Sequence, residues 1–111
     1  MSWNNSDSGF ENIGNDAFKS GMSREDAVIL DVRTPMEVAE GKIPGAMVLN
    51  IGDPAVFVTG IADLDKEKAY FVYCRSGVRS ASACSHMRAM GFNELYNLQN
   101  GILGWDGPIE K

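Results

Sequence analysis

The chain has 111 residues, of which 44% are hydrophobic and 23% are charged, and its formal net charge is −5. This length is typical of one domain with its own hydrophobic core. The acidic balance argues against a nucleic-acid partner, whose phosphates bind faces rich in Lys and Arg. It also argues against an anionic membrane surface, and no apolar run approaches the roughly 20 residues of a membrane-spanning helix.

The cysteine count and the start of the chain bear on the compartment. Two cysteines and one histidine form neither a disulfide framework nor a zinc pattern. The first residues are polar and lack the features of a secretory signal, so we expect a cytoplasmic protein with reduced thiols and without a metal or cofactor. Their Ser, Asn and Asp content predicts a flexible arm over residues 1–9, followed by a single domain over residues 10–111.

The first half of that domain reads as alternating strands and helices. An edge strand is predicted at Phe10–Ile13 and a helix around Asp16–Ser20. The continuous apolar run Ala27–Asp31 predicts a strand covered on both faces. Thr34 then resembles a helix N-cap, and the next helix signals are Pro35 at the first helical position, Glu37 in a capping box, and Gly41 as the stop.

The second half continues the alternation. A buried strand is predicted at Ala46–Leu49, and Asp53 followed by Pro54 predicts the start of a helix. The aromatic and β-branched run Tyr70–Tyr73 predicts a further strand. The remaining elements are a helix at Arg79–Met90, a strand at Glu94–Leu98 and a short helical turn at Gly101–Trp105. This order predicts an α/β fold with a parallel sheet and helices on both faces.

The passage that follows Tyr73 carries the chemistry. A strand delivers Cys74 to the carboxyl end of the predicted sheet, and a helix begins about five residues later. A glycine loop of this kind can direct backbone N–H groups at one centre, and the next helix adds the positive end of its dipole. Together with Arg75 and Arg79, these groups favour a thiolate and would bind an anion. We therefore expect Cys74 to be a nucleophile that needs neither a metal nor a histidine base.

These motifs give the chain a resemblance to the single-domain rhodaneses from Phe10 to Trp105. The matching pieces occur in the family's order: Asp31-Val32-Arg33, Thr34-Pro35-x-Glu37, Gly41-x-Ile43-Pro44-Gly45-Ala46, the loop Cys74–Arg79 with Ser80, and Gly101-Ile102-x-Gly104-Trp105. The resemblance implies a five-stranded parallel sheet and a sulfurtransferase. In such an enzyme Cys74 takes a sulfane sulfur from thiosulfate or a similar anionic donor, and the persulfide passes it to cyanide or to a thiol.

The resemblance also implies roles for individual residues. Backbone amides of the loop would hold the persulfide, and Arg75 and Arg79 would hold the donor's anionic end. The substrate-binding residues predicted in this way are Arg75, Ser76, Gly77, Val78 and Arg79. Asp31 and Arg33 are expected to brace loops through hydrogen bonds and an ion pair, with Glu37 as a further partner. The acceptor thiol would belong to a small molecule or a thioredoxin-like protein, and we expect the chain to be a monomer.

The length of the loop separates alternatives within the wider superfamily. Phosphatases and arsenate-handling enzymes with a Cys-x5-Arg signature place their arginine where this chain has Ser80, whereas here the arginine is Arg79. A loop shorter by one residue fits a sulfur atom better than a tetrahedral phosphate. A basic residue after the cysteine, here Arg75, is typical of thiosulfate users rather than mercaptopyruvate users.

Two other functions remain open at this point. The chain could be a persulfide carrier that another enzyme loads, or a non-catalytic rhodanese-like docking or regulatory module. The second cysteine, Cys84, could resolve a persulfide, although its place in the predicted helix favours the core. Lys42 stands where the family usually has histidine, which we interpret as a local packing or surface change.

Overall fold

The computed structural model describes residues 9–111. The predicted N-terminal arm, residues 1–9, lies outside the described part except for Gly9. None of the helices within residues 9–111 combines the length and the apolar character needed to cross a membrane.

Ten elements follow one another within residues 9–111. The strands are β1 (Glu11–Ile13), β2 (Ala27–Asp31), β3 (Met47–Val48), β4 (Ala69–Tyr73) and β5 (Glu94–Leu98). The helices are α1 (Asn15–Met22), α2 (Pro35–Ala39), α3 (Pro54–Ala62) and α4 (Val78–Ala89), and a 3₁₀ turn covers Ile102–Gly104. The five strands pair in parallel in the order β1-β5-β4-β2-β3, so the predicted α/β class and the five-stranded parallel sheet are confirmed.

Strand β4 lies in the middle of the sheet and is buried along its whole length. Because side chains alternate along a strand, its residues divide between the two faces. Phe71 and Tyr73 belong to a core cluster that includes Phe18 of α1, whereas Tyr70 and Val72 belong to a second cluster. That second cluster includes Phe57, Ile61, Ala83, Cys84 and Met87 from α3 and α4, which places helices on both faces.

The sequence signals for two helix starts are confirmed in detail. The side chain of Thr34 accepts a hydrogen bond from the backbone N–H of Glu37, and the carboxylate of Glu37 accepts one from the backbone N–H of Thr34, which completes the capping box around Pro35. Asp53 caps α3 in a similar way, with Pro54 at the first helical position. These caps satisfy backbone N–H groups that have no partner inside the helix.

One expectation about burial is wrong. The predicted buried strand Ala46–Leu49 is reduced to Met47 and Val48, which are 42% and 37% exposed, because β3 is an edge strand with β2 as its one neighbour. The predicted cover of β2 on both faces is confirmed, since Val28 and Leu30 pack in one core cluster and Ala27 and Ile29 pack against the other. The error at β3 arises because an apolar run does not indicate whether a strand lies at the edge of its sheet.

Candidate active site

The thiol of Cys74 lies at the carboxyl end of the central strand. Tyr73 ends β4, and Cys74 follows with no accessible surface. The 3₁₀ turn holds the start of the loop through two backbone hydrogen bonds. The N–H of Ile102 donates to the carbonyl of Cys74 at 3.0 Å, and the N–H of Leu103 donates to the carbonyl of Arg75 at 3.1 Å. The thiol is thus fixed on a rigid part of the fold.

Three hydrogen-bond donors converge on Sγ of Cys74. The backbone N–H of Gly77 lies 3.1 Å from the sulfur, the backbone N–H of Ser80 lies 3.3 Å away, and the hydroxyl of Ser80 lies 3.4 Å away. Two of these donors belong to the first turn of α4, where the N–H groups have no partner inside the helix. These donors from Gly77 and Ser80, which we call the cradle, therefore stabilise negative charge on the sulfur.

Glycine is required at position 77 for two reasons. Its φ of +99° lies in the left-handed region, which L side chains rarely adopt. A Cβ at this position would also meet the carbonyl oxygen of Gln99 at 2.2 Å. Because Gly77 caps α4 and donates to Sγ, this conformation directs the loop's N–H groups toward the thiol.

The pKa of the Cys74 thiol reflects two opposing effects. Burial raises it, because a thiolate is costly away from water. Hydrogen bonds from the Ser80 hydroxyl and from the backbone N–H groups of Ser80, Gly77 and Ser76 lower it, and together they outweigh burial. The pKa of Cys74 therefore lies below its ordinary value, as expected for a nucleophilic cysteine.

Asn97 of β5 orients the two residues of the cradle, Gly77 and Ser80, through hydrogen bonds. Its side chain is buried, with Nδ2 donating to the carbonyl of Gly77 at 3.1 Å and to Oδ1 of Asn12 at 2.9 Å. Its Oδ1 accepts a hydrogen bond from the hydroxyl of Ser80. One amide side chain thus links two of the residues that contact Sγ.

The two loop arginines have different environments. The guanidinium of Arg79 donates two hydrogen bonds of 2.8 Å to the two carboxylate oxygens of Glu37. Arg75 is exposed and has no ion pair within residues 9–111. Of the two cations that the sequence assigns to an anionic donor, one is already neutralised by a carboxylate.

A cleft of about 240 Å³ opens beside the loop. Its charged lining is Arg33, Glu37, Glu40 and Arg75, and its apolar lining includes Ile102, Leu103 and Ile109. The mouth of the site therefore combines both signs of charge with apolar surface. This is a different environment from the purely cationic trap that the sequence suggested.

The comparisons with known proteins agree with this fold. The sequence profile of the rhodanese-like domain family matches residues 15–107. The chain belongs to the rhodanese family. It is 36% identical over 81 residues to the "Sulfurtransferase" of Allochromatium vinosum, covering 73% of each chain. It is 40% identical over 87 residues to the "Putative sulfurtransferase YtwF" of Bacillus subtilis, covering 78% of this chain and 80% of the relative.

Other relatives differ from this chain in length or carry the name of a different activity. A "tRNA uridine(34) hydroxylase" of Nitrobacter hamburgensis is 33% identical over 81 residues, which are 70% of this chain and 32% of that protein. Among solved structures, the "Rhodanese-like Domain Protein" of Staphylococcus aureus superposes with a TM-score of 0.78 at 28% identity, covering 91% of this chain and 97% of that one. The family is therefore clear, whereas the names of its members span more than one activity.

In this rhodanese, Asp31 and Arg33 form a buried ion pair behind the site. The guanidinium of Arg33 bonds both carboxylate oxygens of Asp31, at 2.9 and 2.7 Å. Arg33 also donates to the carbonyls of Gly41 and Glu37, so its contact with Glu37 is to the backbone and not to the carboxylate. Tyr73 completes the arrangement by donating to Asp31 at 2.7 Å.

The remaining predicted loop residues of the rhodanese are placed as follows. Ser76 is exposed and contributes its backbone N–H to the thiol. Val78 is the first residue of α4, and 73% of it is exposed, so its substrate-binding role stays a prediction. Lys42, which replaces the family's usual histidine, forms an ion pair with Glu110 at 2.8 Å.

The second cysteine of this rhodanese lies in the core. Cys84 is buried in α4, and burial raises its pKa to about 12. It is thus a poor thiolate at neutral pH, which favours the core interpretation over a redox role. Within residues 9–111, no group of three or more His, Cys, Asp or Glu side chains could hold a metal ion.

Sequence reasoning missed two parts of the site. Asn97 is a polar residue inside the buried strand β5, and that anomaly could have indicated it. The Arg79–Glu37 pair joins residues 42 positions apart, and Glu37 was already explained by its capping box. Nothing in the local pattern indicated that the carboxylate of Glu37 accepts hydrogen bonds from both Thr34 and Arg79.

Proposed function

We propose that this rhodanese is a sulfurtransferase that moves a sulfane sulfur from thiosulfate, or a similar anionic donor, to a thiol through a persulfide on Cys74. The observation that carries the proposal is the set of three donors around Sγ, which favours a thiolate without a histidine base. The names of two relatives, "Sulfurtransferase" and "Putative sulfurtransferase YtwF", support it. Cyanide would replace the thiol in an assay.

The first half-reaction would load the cysteine. The thiolate of Cys74 attacks the outer sulfur of thiosulfate, a new S–S bond forms, the bond to the sulfonate sulfur breaks, and sulfite leaves with that electron pair. The terminal sulfur of the persulfide then carries the negative charge. The backbone N–H groups of Ser76, Gly77 and Ser80 already point at the thiol, and they would stabilise this charge as they stabilise the thiolate.

The second half-reaction would unload the cysteine. An acceptor thiol gives up its proton and attacks the terminal sulfur, the persulfide S–S bond breaks, and Cys74 departs as the thiolate that began the cycle. The lowered pKa of Cys74 makes it a good leaving group for this step. The cleft beside Arg75 would admit the donor first and the acceptor afterwards. Because Cys74 holds the sulfur between these two events, the scheme is a ping-pong reaction.

Mass spectrometry combined with an activity assay tests the proposal. Incubation with thiosulfate should add one sulfur atom to the intact mass, and added cyanide should then release thiocyanate over many turnovers. Cys74→Ala should abolish both signals, whereas Cys84→Ala should retain both because Cys84 lies in the core. Loading without turnover would indicate a persulfide carrier. Absence of loading from thiosulfate and from a thiol persulfide would leave the docking module.

A further inference from the structure

The contact between Glu37 and Arg79 bears on which donors the site accepts. Arg79 offers a planar fork suited to an oxyanion, and in this structure both of its bonds go to the carboxylate of Glu37 at 2.8 Å. The side chain of Glu37 is 22% exposed and that of Arg79 is 36% exposed, so the pair lies at the edge of the site. An anionic ligand that uses the fork must first displace this carboxylate.

Glu37 is held in place independently of Arg79. Its Oε1 accepts hydrogen bonds of 3.1 Å from both the backbone N–H and the hydroxyl of Thr34, as part of the capping box of α2. The carboxylate is therefore oriented by its own helix and does not depend on the ion pair for its position. A carboxylate held in position in this way competes with an anionic ligand for Arg79 more effectively than a freely moving side chain would.

The pair also lies close to the nucleophile. Arg79 directly precedes Ser80, whose N–H and hydroxyl contact Sγ of Cys74, and the thiol itself has no accessible surface. Glu37 and Arg75 both line the cleft beside the loop, together with Glu40. Arg33 also lines this cleft, but its charge is paired with Asp31, and Arg79 is paired with Glu37, so Arg75 is the cation left beside Glu37 and Glu40.

We propose that Glu37 is a specificity-determining residue, which occupies the fork of Arg79 and so selects sulfur donors that carry little negative charge over dianions such as thiosulfate. The preferred donor class is then a thiol persulfide, with at most one negative charge on its reacting sulfurs. This inference rests on the proposed sulfurtransferase and narrows its donor, since thiosulfate would still load Cys74 but less readily than a thiol persulfide would. The charge selection itself is a property of the pocket and can be measured without sulfur transfer.

Alkylation of Cys74 measures that charge selection directly. Iodoacetate and iodoacetamide react with a thiolate alike, since an S–C bond forms and iodide leaves, but the first reagent is an anion and the second is neutral. The ratio of their two rates cancels changes in thiol pKa and in general access. Glu37→Gln removes the charge, and glutamine keeps the capping box because it is also favoured at that helix position.

Glu40→Gln is the matched control, because it removes the same charge from the same cleft without touching Arg79. We expect Glu37→Gln to raise the iodoacetate-to-iodoacetamide ratio about threefold to fivefold more than Glu40→Gln does, as for a partly exposed ion pair. In an Arg79→Ala background, Glu37→Gln should have no more effect than Glu40→Gln. Equal ratios for the two variants in the wild-type background would overturn the proposal.

Steady-state kinetics then separate the two proposals. Glu37→Gln should lower the KM for thiosulfate by a similar factor and change the KM for a thiol persulfide, which carries less charge, by a smaller factor. A changed alkylation ratio with no sulfur loading of Cys74 from any donor would refute the sulfurtransferase proposal and keep the charge selection. Sulfur transfer with an unchanged ratio would refute the charge selection and keep the sulfurtransferase.

Discussion

The hydroxyl of Ser80 lies between two acceptors, Oδ1 of Asn97 and Sγ of Cys74. A hydroxyl carries one proton, so it can donate to one of them at a time. With a neutral thiol, the S–H can donate to the Ser80 oxygen while Ser80 donates to Asn97. With a thiolate, the hydroxyl can turn to the sulfur, where a charged acceptor makes the stronger bond. The ionisation of Cys74 is thus coupled to the orientation of one hydroxyl.

Replacing Ser80 with alanine should therefore raise the pKa of Cys74. The Ser80 hydroxyl is the largest of the hydrogen-bond contributions that lower this pKa, and alanine removes it while keeping the backbone N–H. At neutral pH a smaller fraction of the protein would carry the thiolate, so alkylation by iodoacetamide should slow. The measurement is the alkylation rate as a function of pH, whose midpoint should move to higher pH in Ser80→Ala.

Ser82→Ala provides the control for that experiment. Ser82 lies on the same helix, α4, and is exposed, so its replacement leaves the contacts of Sγ intact. Its alkylation midpoint should equal that of the wild type. A Ser80→Ala midpoint at or below the wild-type value would contradict the role assigned to the hydroxyl.

Gly77→Ala should destabilise the protein by about 3 kcal/mol or more, because it combines backbone strain with a clash. Its φ is positive, and the added Cβ would meet the backbone oxygen of Gln99 at 2.2 Å. Gly45→Ala is the matched control, since Gly45 has a φ of +83° and nothing within 4 Å of the added Cβ. That variant should lose only the strain, about 1–2 kcal/mol. Urea unfolding of both variants measures the difference, and equal losses would contradict the clash.

Tyr73→Phe should lower the free energy of unfolding by about 2 kcal/mol. The phenol donates to Asp31 at 2.7 Å and accepts from the backbone N–H of Ile43 at 3.0 Å, and all three residues are buried. Phenylalanine would leave that N–H without its partner, and an unsatisfied buried donor is costly. Chemical denaturation in urea is the measurement.

Tyr70→Phe serves as the comparison for Tyr73→Phe. The phenol of Tyr70 donates to the carbonyl of Asp65 at 2.7 Å, and Asp65 is exposed, so water can replace the lost bond. We expect a loss of about 1 kcal/mol or less. A loss as large as that of Tyr73→Phe would mean that the buried network adds nothing to an ordinary tyrosine hydrogen bond.

Local signals predicted most of the fold and the centre of the site. The cap of α2 by Thr34, the burial of β4 and the strand-to-helix passage at Cys74 depend on residues within a few positions of one another. Such short-range patterns reflect backbone and capping preferences that hold in any fold. The parallel sheet followed from the order of the elements, because few topologies satisfy that alternation.

The missed features depend on long-range packing. Glu37 and Arg79 are 42 positions apart, and Asn97 reaches Gly77 across 20 positions. Charge counting along the loop treated Arg79 as free, since no local pattern indicates which carboxylate the fold brings to it. The exposure of β3 is a similar case, because edge position is a property of the whole sheet.

Acidification should remove the contribution of Glu37 to the free energy of unfolding. The hydrogen bonds from Arg79 lower the pKa of Glu37 to about 2, although burial acts in the opposite direction. The pKa of a glutamate in an unfolded chain is about 4.3. A carboxyl whose folded pKa is lowered stabilises the protein fully above the unfolded pKa. That contribution is lost as the pH falls from about 4.3 toward about 2.

Comparing wild type with Glu37→Gln at neutral pH and at about pH 3 tests this loss. Because the pair is partly exposed and screened by water, we expect the wild type to lose up to about 1 kcal/mol more than Glu37→Gln on acidification. Glu94→Gln provides a second case, since Arg24 also lowers the pKa of Glu94 to about 2, but that pair is more exposed and should contribute less. Parallel acid profiles for wild type and Glu37→Gln would show that the ion pair does not stabilise the folded chain, whatever it does to ligands.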